Sequence, residues 1–412
     1  MRSLSKVRNA ESPTQRRRGS SVGQINVGDT AVPGFSTIKV TASNRDKLKA
    51  RMRELSAESQ SDRAILRKIL VAYVELSYRH FWLSPLLVLS ISCGLYFFGD
   101  QNSSLHNFLE RLMTVSYHIE GTENYGKGVN DFYFVAFYAV FLTFFREFMM
   151  VCILRPMAYF LGVKKPAKVK RFMEQTYAMV YYGFSGPFGL WVMSQTPLWF
   201  FETTPFYLEY PHKTHDWYFK VYYLGQAAFW VQQSVVLVLQ LEKPRKDYYE
   251  LILHHIVTIA LIWCSYRFHF TWMGLAVYVT MDVSDFFLAF SKTLNYLNSP
   301  ASGPFFAFFV FVWIYLRHYI NLRILWSVLT EFRTVGEWEL NWDTQQYKSW
   351  ISQPVVFGLL FALQLLNAYW LFLIIRILYR YVLGGVAEDD RSDGEDEESE
   401  YYEKEREKYH RK

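Results

Sequence analysis

Long apolar stretches separated by polar loops fill the middle of the chain, between residues 80 and 385. An α-helix needs about 20 apolar residues to cross the hydrocarbon core of a bilayer, and most of these stretches reach that length. The pattern therefore predicts an all-α, polytopic membrane protein with about eight transmembrane helices. The predicted spans are 82–98, 131–154, 172–194, 217–241, 249–270, 272–292, 304–330 and 352–383.

Polar tails flank the apolar region and set the predicted domain organisation. Residues 1–80 form an N-terminal cytosolic tail, and its part from 43 to 80 has the spaced apolar positions of an amphipathic helix on a membrane surface. Residues 81–165 hold the first spans, and residues 166–384 hold a larger helical bundle. Residues 385–412 are rich in acidic side chains and are predicted to be disordered.

Short motifs in the polar segments suggest modification sites. Basic residues precede Ser20 and Ser21, and acidic residues follow Ser392, so all three serines are candidates for phosphorylation. The triplet Asn102-Ser-Ser104 directly after the first span is a candidate glycosylation site. The alternative is that these motifs arise by chance in solvated segments.

Charge fixes the predicted orientation. Basic residues concentrate in the loops after the second and fourth spans, whereas the alternate loops hold more acidic residues. The positive-inside rule places the base-rich loops and both termini in the cytosol. The net charge of +6 comes with no nucleic-acid-binding motif, so no nucleic-acid partner is expected.

Four ionisable residues inside two consecutive spans are the strongest functional signal. His254 and His255 lie in the fifth span, and Asp282 and Asp285 lie in the sixth. At a rise of roughly 1.5 Å per residue, all four fall in one layer near the cytosolic side, and the two aspartates share a helical face. Because charged groups in a membrane are costly, we expect them to converge on a functional site.

Imidazole beside carboxylate suits acyl transfer. The carboxylate fixes the tautomer of the histidine, which then acts as a general base or as a nucleophile. One alternative is a buried His–Asp pair that only specifies helix packing. A second is a metal site, but adjacent histidines point about 100° apart around a helix, which disfavours chelation by both. No metal is therefore predicted.

Other polar and aromatic residues within the spans are candidates for lining a substrate cavity, although packing and interhelical hydrogen bonding are the alternatives. These candidates are Gln226, Trp230, Gln233, Thr258, Tyr278, Arg317 and His318. For the adjacent charges Arg146 and Glu147 we expect a structural ion pair. Lys243, Arg245 and Lys246 adjoin the mouth of the predicted site and are candidates for binding the phosphates of a CoA leaving group, or serve only as a topological signal.

The motifs around these residues resemble a known family. The segments Leu224–Trp230, Leu241–Asp247, His254–Thr258, Met281–Asp285 and Lys292–Tyr296 resemble the Lag motif of fungal ceramide synthases, which belong to the TLC-domain membrane proteins. The resemblance implies a six-helix TLC bundle around a lipid cavity, in a multi-pass protein of the endoplasmic reticulum membrane. It also implies N-acylation of a sphingoid base, sphinganine or phytosphingosine, with a very-long-chain fatty acyl-CoA.

The resemblance assigns roles as well. His254, His255, Asp282 and Asp285 match the essential residues of the family. We expect His254 to receive the acyl group and His255, with an aspartate, to deprotonate the amine; exchanged roles or direct attack of the amine on the thioester remain open. Acyl-CoA is the co-substrate, and no other cofactor is expected. Membrane lipids, a small single-span accessory subunit and a second copy in a dimer are the other implied partners.

Two other functions compete with this expectation. The first is a non-catalytic TLC protein that senses or translocates lipids. The second is a metal-dependent hydrolase that cleaves ceramide. Four buried ionisable residues argue against a pure scaffold, because their burial is costly.

Overall fold

The computed structural model describes residues 49–50, 62–80, 82–239 and 247–384. Over these residues the protein is almost entirely helical, which confirms the all-α prediction. The strands in the described ranges are two-residue segments, β1 (Asn124–Tyr125) and β2 (His215–Asp216), which pair in antiparallel fashion.

Twelve α-helices, four of them joined in pairs by π-helical turns, make up most of the described part of the chain. They are α1 (Asp62–Arg79), α2 (Leu83–Phe98), α3 (Ser104–Met113), α4 (Asn130–Phe148), α5 (Arg155–Phe160), α6 (Pro166–Ser194), α7 (Trp217–Val238), α8 (Tyr248–Arg267), α9 (Thr271–Tyr296), α10 (Ser302–Trp313), α11 (Asn321–Thr330) and α12 (Ser352–Gly384). The π-helical turns are Met149–Leu154, which joins α4 to α5, and Ile314–Ile320, which joins α10 to α11.

Each predicted span coincides with a helix. Five are long and apolar enough to cross a membrane on length and composition: Asn130–Phe160, Tyr248–Arg267, Thr271–Tyr296, Ser302–Thr330 and Ser352–Leu383. They confirm a multi-pass membrane protein. Helix α2 is a shorter apolar helix, and α6 and α7 mix Tyr, Gln and Lys with apolar residues, so their crossing of the bilayer stays a prediction.

Helix α9 lies at the centre of the bundle and packs along α6. Three glycines of α6, Gly183, Gly186 and Gly189, face side chains of α9 that include Phe286 and Val283. Small residues at such an interface let two helix backbones approach closely, and this approach replaces the hydrophobic driving force that lipid does not provide. The main hydrophobic core extends from this interface to α7 and α11.

The connection between α11 and α12, residues 331–351, covers one end of the bundle, and we call it the cap. Buried Lys348 donates to the carbonyl of Val335 and anchors the cap from within. Arg333 Nε donates to Gln353 Oε1 of α12 at 2.7 Å. Arg267, at the end of α8, donates to Tyr347 Oη of the cap at 3.2 Å, so the cap lies over the end of the bundle where α8 meets α9.

A buried ion pair ties the N-terminal helices to the bundle. Lys220 of α7 lies 2.7 Å from Asp131 of α4, and both side chains are almost wholly buried. Lys220 also donates to the carbonyls of Ser116 and Gly126, at 2.8 and 2.7 Å. Tyr266 of α8 donates to the same aspartate at 2.7 Å. Within the described ranges, the charge of Lys220 is thus compensated by residues 116–131.

The predicted pair of Arg146 and Glu147 is confirmed. Their side chains approach to 2.5 Å and are nearly fully buried at the start of the first π-helical turn. Pro187 lies inside α6, which continues through it to Ser194.

Candidate active site

Two neighbouring cavities lie in the bundle, and His254 and Trp230 line both of them. The first, which we call the apolar cavity, has a volume of about 230 Å³ and extends between α8, α9 and α12 to the cap. The second, the polar cavity, has a volume of about 210 Å³. Its polar lining residues are Gln175, Tyr182, Gln233, His254, His255, Asp285 and Arg317.

The boundary between the cavities falls at the same level on three helices. On α8, His255 lines the polar cavity and Thr258 lines the apolar one. On α9 the boundary lies between Asp285 and Met281, and on α12 it lies between Trp370 and Leu363. We call this level the junction. A molecule that is apolar at one end and polar at the other would place its middle there.

The imidazole of His254 is held by aromatic rings at the junction. It is buried, and its ring centroid lies 5.4 Å from that of Trp230 and 5.1 Å from that of Trp370, both in edge-on contacts. Its Nδ1 is buried and has no hydrogen-bond partner among the described residues. Packing rather than hydrogen bonding therefore orients the ring, which suits a nitrogen that must bond to a substrate carbon.

His255 has a defined tautomer. Its Nδ1 lies 2.9 Å from the carbonyl oxygen of Leu251, one turn earlier in α8. A carbonyl only accepts, so Nδ1 carries the proton and Nε2 is the basic nitrogen. The two histidine rings lie 5.8 Å apart and are nearly perpendicular. This arrangement allows His255 to act as a base next to His254.

Asp285 faces the polar cavity through an ion pair. Its Oδ1 lies 2.6 Å from Arg317 Nη2, on the second π-helical turn. The guanidinium also donates to Ser284 Oγ at 2.6 Å and to Asn367 Oδ1 at 3.2 Å, and it lies 4.1 Å above the ring of Trp313. Arg317 is thus fixed in position and its charge is compensated.

Asp282 points elsewhere. It is fully buried, accepts hydrogen bonds from Gln226 Nε2 and from Tyr222 Oη, the latter at 3.3 Å, and lines neither cavity. An i,i+3 spacing leaves about 60° between two side chains around a helix. That angle is enough to turn Asp282 toward α7 while Asp285 faces the second π-helical turn. The structure thus brings His254, His255 and Asp285 to one cavity. Asp282 lies outside that cavity, against α7.

The other predicted site residues also divide into those that line a cavity and those that do not. Gln233 and Arg317 line the polar cavity, Thr258 and Tyr278 line the apolar one, and Trp230 lines both. Gln226 and His318 line neither: Gln226 holds Asp282, and His318 Nδ1 pairs with Gln364 Nε2 of α12 at 2.9 Å. Asn102 is exposed in the turn between α2 and α3, and its glycosylation stays a prediction. Lys243, Arg245, Lys246, Ser20, Ser21 and Ser392 lie outside the described residues.

Three polar residues of the site were not predicted from the sequence. Tyr222 supports Asp282, and Ser284 and Asn367 support Arg317. Asn367 had a recognisable signal, because it is an amide in the middle of the last apolar span, where polar groups are costly. Tyr222 and Ser284 had none, since tyrosine and serine are common in packed membrane helices.

The site combines a nucleophile, a base and two cavities of opposite polarity. Within the described ranges, no three His, Cys, Asp or Glu side chains are grouped so that they could hold a metal ion. An acyl chain fits the apolar cavity, a polar leaving group fits the polar cavity, and a histidine nitrogen lies where the two parts of such a substrate meet. This arrangement can transfer an acyl group.

Comparisons with known proteins agree with this chemistry. The family model of the TLC domain matches residues 171–376. The chain is 54% identical to the ceramide synthase LAG1 of Saccharomyces cerevisiae, over 95% of each chain. It is 45% identical to the sphingosine N-acyltransferase lac1 of Schizosaccharomyces pombe, over 93% of this chain and 95% of the relative. It is 29% identical to the ceramide synthase hyl-1 of Caenorhabditis elegans, over 56% of this chain and 63% of that protein.

Proposed function

This chain belongs to the fungal ceramide synthases of the TLC-domain family, and from that premise we propose how it N-acylates a sphingoid base. The acyl group passes from an acyl-CoA to His254 and from His254 to the amine. The position of His254 at the junction of the two cavities is the observation that carries this proposal.

The two cavities divide the acyl donor between them. The hydrocarbon chain occupies the apolar cavity, and the pantetheine arm of CoA leaves through the polar cavity. The thioester carbon then lies beside His254. Lys243, Arg245 and Lys246 follow α7 in the sequence, and they bind the phosphates of CoA at the cytosolic mouth. The preference of the enzyme for very-long-chain acyl-CoA is proposed on the family resemblance.

The first step forms an acyl-histidine. A ring nitrogen of His254 attacks the thioester carbon, the C–N bond forms, and the C–S bond breaks. The electron pair of the broken bond leaves with sulfur as the CoA thiolate. The imidazole becomes a positively charged acyl-imidazolium, and burial of this ring among Trp230 and Trp370 keeps water from hydrolysing it.

The second step forms the amide. The neutral amine of the sphingoid base attacks the acyl carbon, and the C–N bond to His254 breaks to give back a neutral imidazole. Nε2 of His255 takes the proton that the amine loses, and this proton finally neutralises the thiolate. The Nδ1 contact of His255 with Leu251 supports this role, because it leaves Nε2 as the base.

The cellular setting is proposed on the family resemblance. The enzyme resides in the endoplasmic reticulum membrane with both termini in the cytosol, so that the polar cavity meets cytosolic acyl-CoA. It works with a small single-span accessory subunit and pairs with a second copy.

Incubation of the purified protein with labelled acyl-CoA and no amine tests the mechanism. We expect covalent label in the wild type and in His255→Ala, and none in His254→Ala. His118→Ala changes an exposed histidine far along the chain from the site and serves as a matched control that keeps the label. Absence of label in the wild type would favour direct attack on the thioester. Ceramide synthesis that survives the loss of both histidines would overturn a catalytic role for them.

A further inference from the structure

The proposed function, on which this inference rests, fixes where charge develops during the reaction. As a nucleophile attacks a thioester, the carbonyl π electrons move onto oxygen and create an oxyanion. With the acyl chain in the apolar cavity and CoA in the polar one, that oxygen lies at the junction. The junction is walled by apolar and aromatic side chains, so protein donors must replace water there.

One N–H group of the Arg317 guanidinium has no acceptor among the described residues. A guanidinium carries five N–H groups. Nε donates to Ser284, Nη2 donates to Asp285 and to the carbonyl of Met281, and one N–H of Nη1 donates to Asn367. The second N–H of Nη1 has no acceptor among the described residues, and Arg317 lines the polar cavity beside His254.

Asn367 lies next to Arg317, and its own side-chain amide has an unpartnered donor. Its side chain is completely buried, and its Oδ1 is engaged by Arg317 Nη1. Its Nδ2 is buried without a partner in the described part of the chain. A buried donor left unpaired costs about 1–3 kcal/mol, so its retention calls for an explanation.

The position of Asn367 along α12 matches the junction. Leu363 lines the apolar cavity and Trp370 lines the polar one, four residues before and three residues after Asn367. Residues at these spacings lie on one face of a helix. Asn367 therefore stands on the cavity-facing side of α12, at the level of His254, although its own side chain is screened from solvent.

We propose that Nη1 of Arg317 and Nδ2 of Asn367 form the oxyanion hole of the acyl transfer. Both donors are fixed before substrate binds, since Arg317 is held by Ser284 and Trp313 and in turn orients the amide of Asn367. Donors that are already oriented lower a barrier most, and only the side chains that screen Asn367 from the cavities must move for its Nδ2 to reach the oxyanion.

Asp285 has a separate part in this arrangement. Its ion pair with Arg317 compensates the guanidinium charge while no oxyanion is present, so the charge remains tolerable inside the bundle. No proton passes to either donor. The electron pair moves to oxygen as the C–N bond forms and returns to carbon as the C–S bond breaks.

Two acyl-CoA analogues test the proposal by binding alone. In the first, a methylene replaces the thioester sulfur, so a ketone remains that adds His254 reversibly and forms an oxyanion. In the second, a methylene replaces the carbonyl, so no oxyanion can form. The ratio of their dissociation constants measures stabilisation of the oxyanion, and a merely structural residue would not change it.

Asn367→Asp removes the Nδ2 donor, and Arg317→Lys replaces the guanidinium, with its Nη1 donor, by a single ammonium; each variant keeps a partner for the other residue. We expect the ketone preference to fall at least about tenfold in each, and single-turnover acylation to slow by roughly 10²-fold. Gln364→Leu is the matched control, because it removes another buried amide of α12 whose Nε2 is already paired with His318 Nδ1, unlike Nδ2 of Asn367. It keeps the wild-type ratio.

An unchanged ratio in Asn367→Asp or in Arg317→Lys would overturn the oxyanion hole while leaving the acyl-histidine route intact. A wild type that takes no label and does not prefer the ketone would instead refute the acyl-histidine step itself. If a variant accumulates poorly, Asn367→Leu and the binding ratio of the folded fraction still distinguish these outcomes.

Discussion

At the scale of single residues, two aspartates of the same motif have different partners. Asp285 is paired with the cation of Arg317, whereas the partners of Asp282 in the described region are the neutral groups of Gln226 and Tyr222. Equal residue types three positions apart thus differ in electrostatics because they face different helices. Asp285 compensates a charge, and Asp282 fixes the rotation of α9 against α7.

This difference predicts unequal costs of neutralisation. Asp285→Asn leaves the buried guanidinium of Arg317 uncompensated and should destabilise the protein by about 3 kcal/mol. Asp282→Asn keeps an amide oxygen that can accept from Gln226 and Tyr222, and should cost about 1 kcal/mol or less. Thermal unfolding of both variants in the same detergent measures the difference. A greater loss of stability in Asp282→Asn would contradict the assignment.

Sequence alone predicted which residues form the site, but not which way their side chains point. His254, His255, Asp285 and Arg317 were predictable, because ionisable groups in apolar spans are few and costly. The rotation of α9, and with it the turn of Asp282 away from the cavity, depends on packing against α6 and α7, which no spacing within one helix encodes.

At the scale of elements, the turn between α8 and α9 carries a buried histidine in contact with two other segments of the chain. His269 Nδ1 lies 3.3 Å from Lys127 Nζ, and its Nε2 lies 3.1 Å from Gln345 Oε1 of the cap. Burial, and after it the charge of Lys127, lowers the pKa of His269 to about 3. Burial likewise lowers the pKa of the nearby His212 to about 4. Burial thus keeps both rings neutral in the folded protein.

The pKa of His269 predicts acid sensitivity. Because its folded-state pKa lies below the ordinary value of 6.5, its contribution to stability is complete above that pH and is lost as the pH falls toward 3. We expect the melting temperature to drop between pH 6.5 and 5, and to drop less in His269→Gln, which cannot titrate. An equal slope in both proteins would show that other groups govern the acid response.

The elements themselves followed the hydropathy pattern closely, with exceptions that have local causes. The described part of each predicted span is largely helical, as expected for segments whose backbone must satisfy its own hydrogen bonds in lipid. Helix α3 was missed, since it is too short and too polar to span, although Ser103 caps its first turn by accepting from His106 N. The π-helical turns have no sequence signature, yet one of them carries Arg317.

At the scale of the whole molecule, the apolar cavity has a length that limits the acyl chain it can hold. Its lining on α8 extends from His254 to Phe268, about 21 Å at a rise of roughly 1.5 Å per residue. A chain that enters from the junction would therefore run along α8 toward the cap.

A bulkier residue halfway along this space should shorten the accepted chain. Leu360 of α12 lines the cavity and is buried, and Leu360→Phe should lower the activity on long acyl-CoA relative to medium-chain acyl-CoA about tenfold. Leu365→Phe, on the exposed face of the same helix, is the control with unchanged preference. Competition between two acyl-CoA lengths measures the ratio, and a shift in the control alone would disprove the assignment.

The ion pair of Lys220 with Asp131 has a consequence for the order in which its partners are synthesised and inserted. The acceptors that surround Lys220 all come from residues 116–131, which precede the matched TLC segment of 171–376. A ribosome delivers them before it delivers the lysine. The carboxylate that pairs with Lys220 is thus already synthesised when the lysine emerges, whereas a gene fragment limited to the TLC segment would lack it.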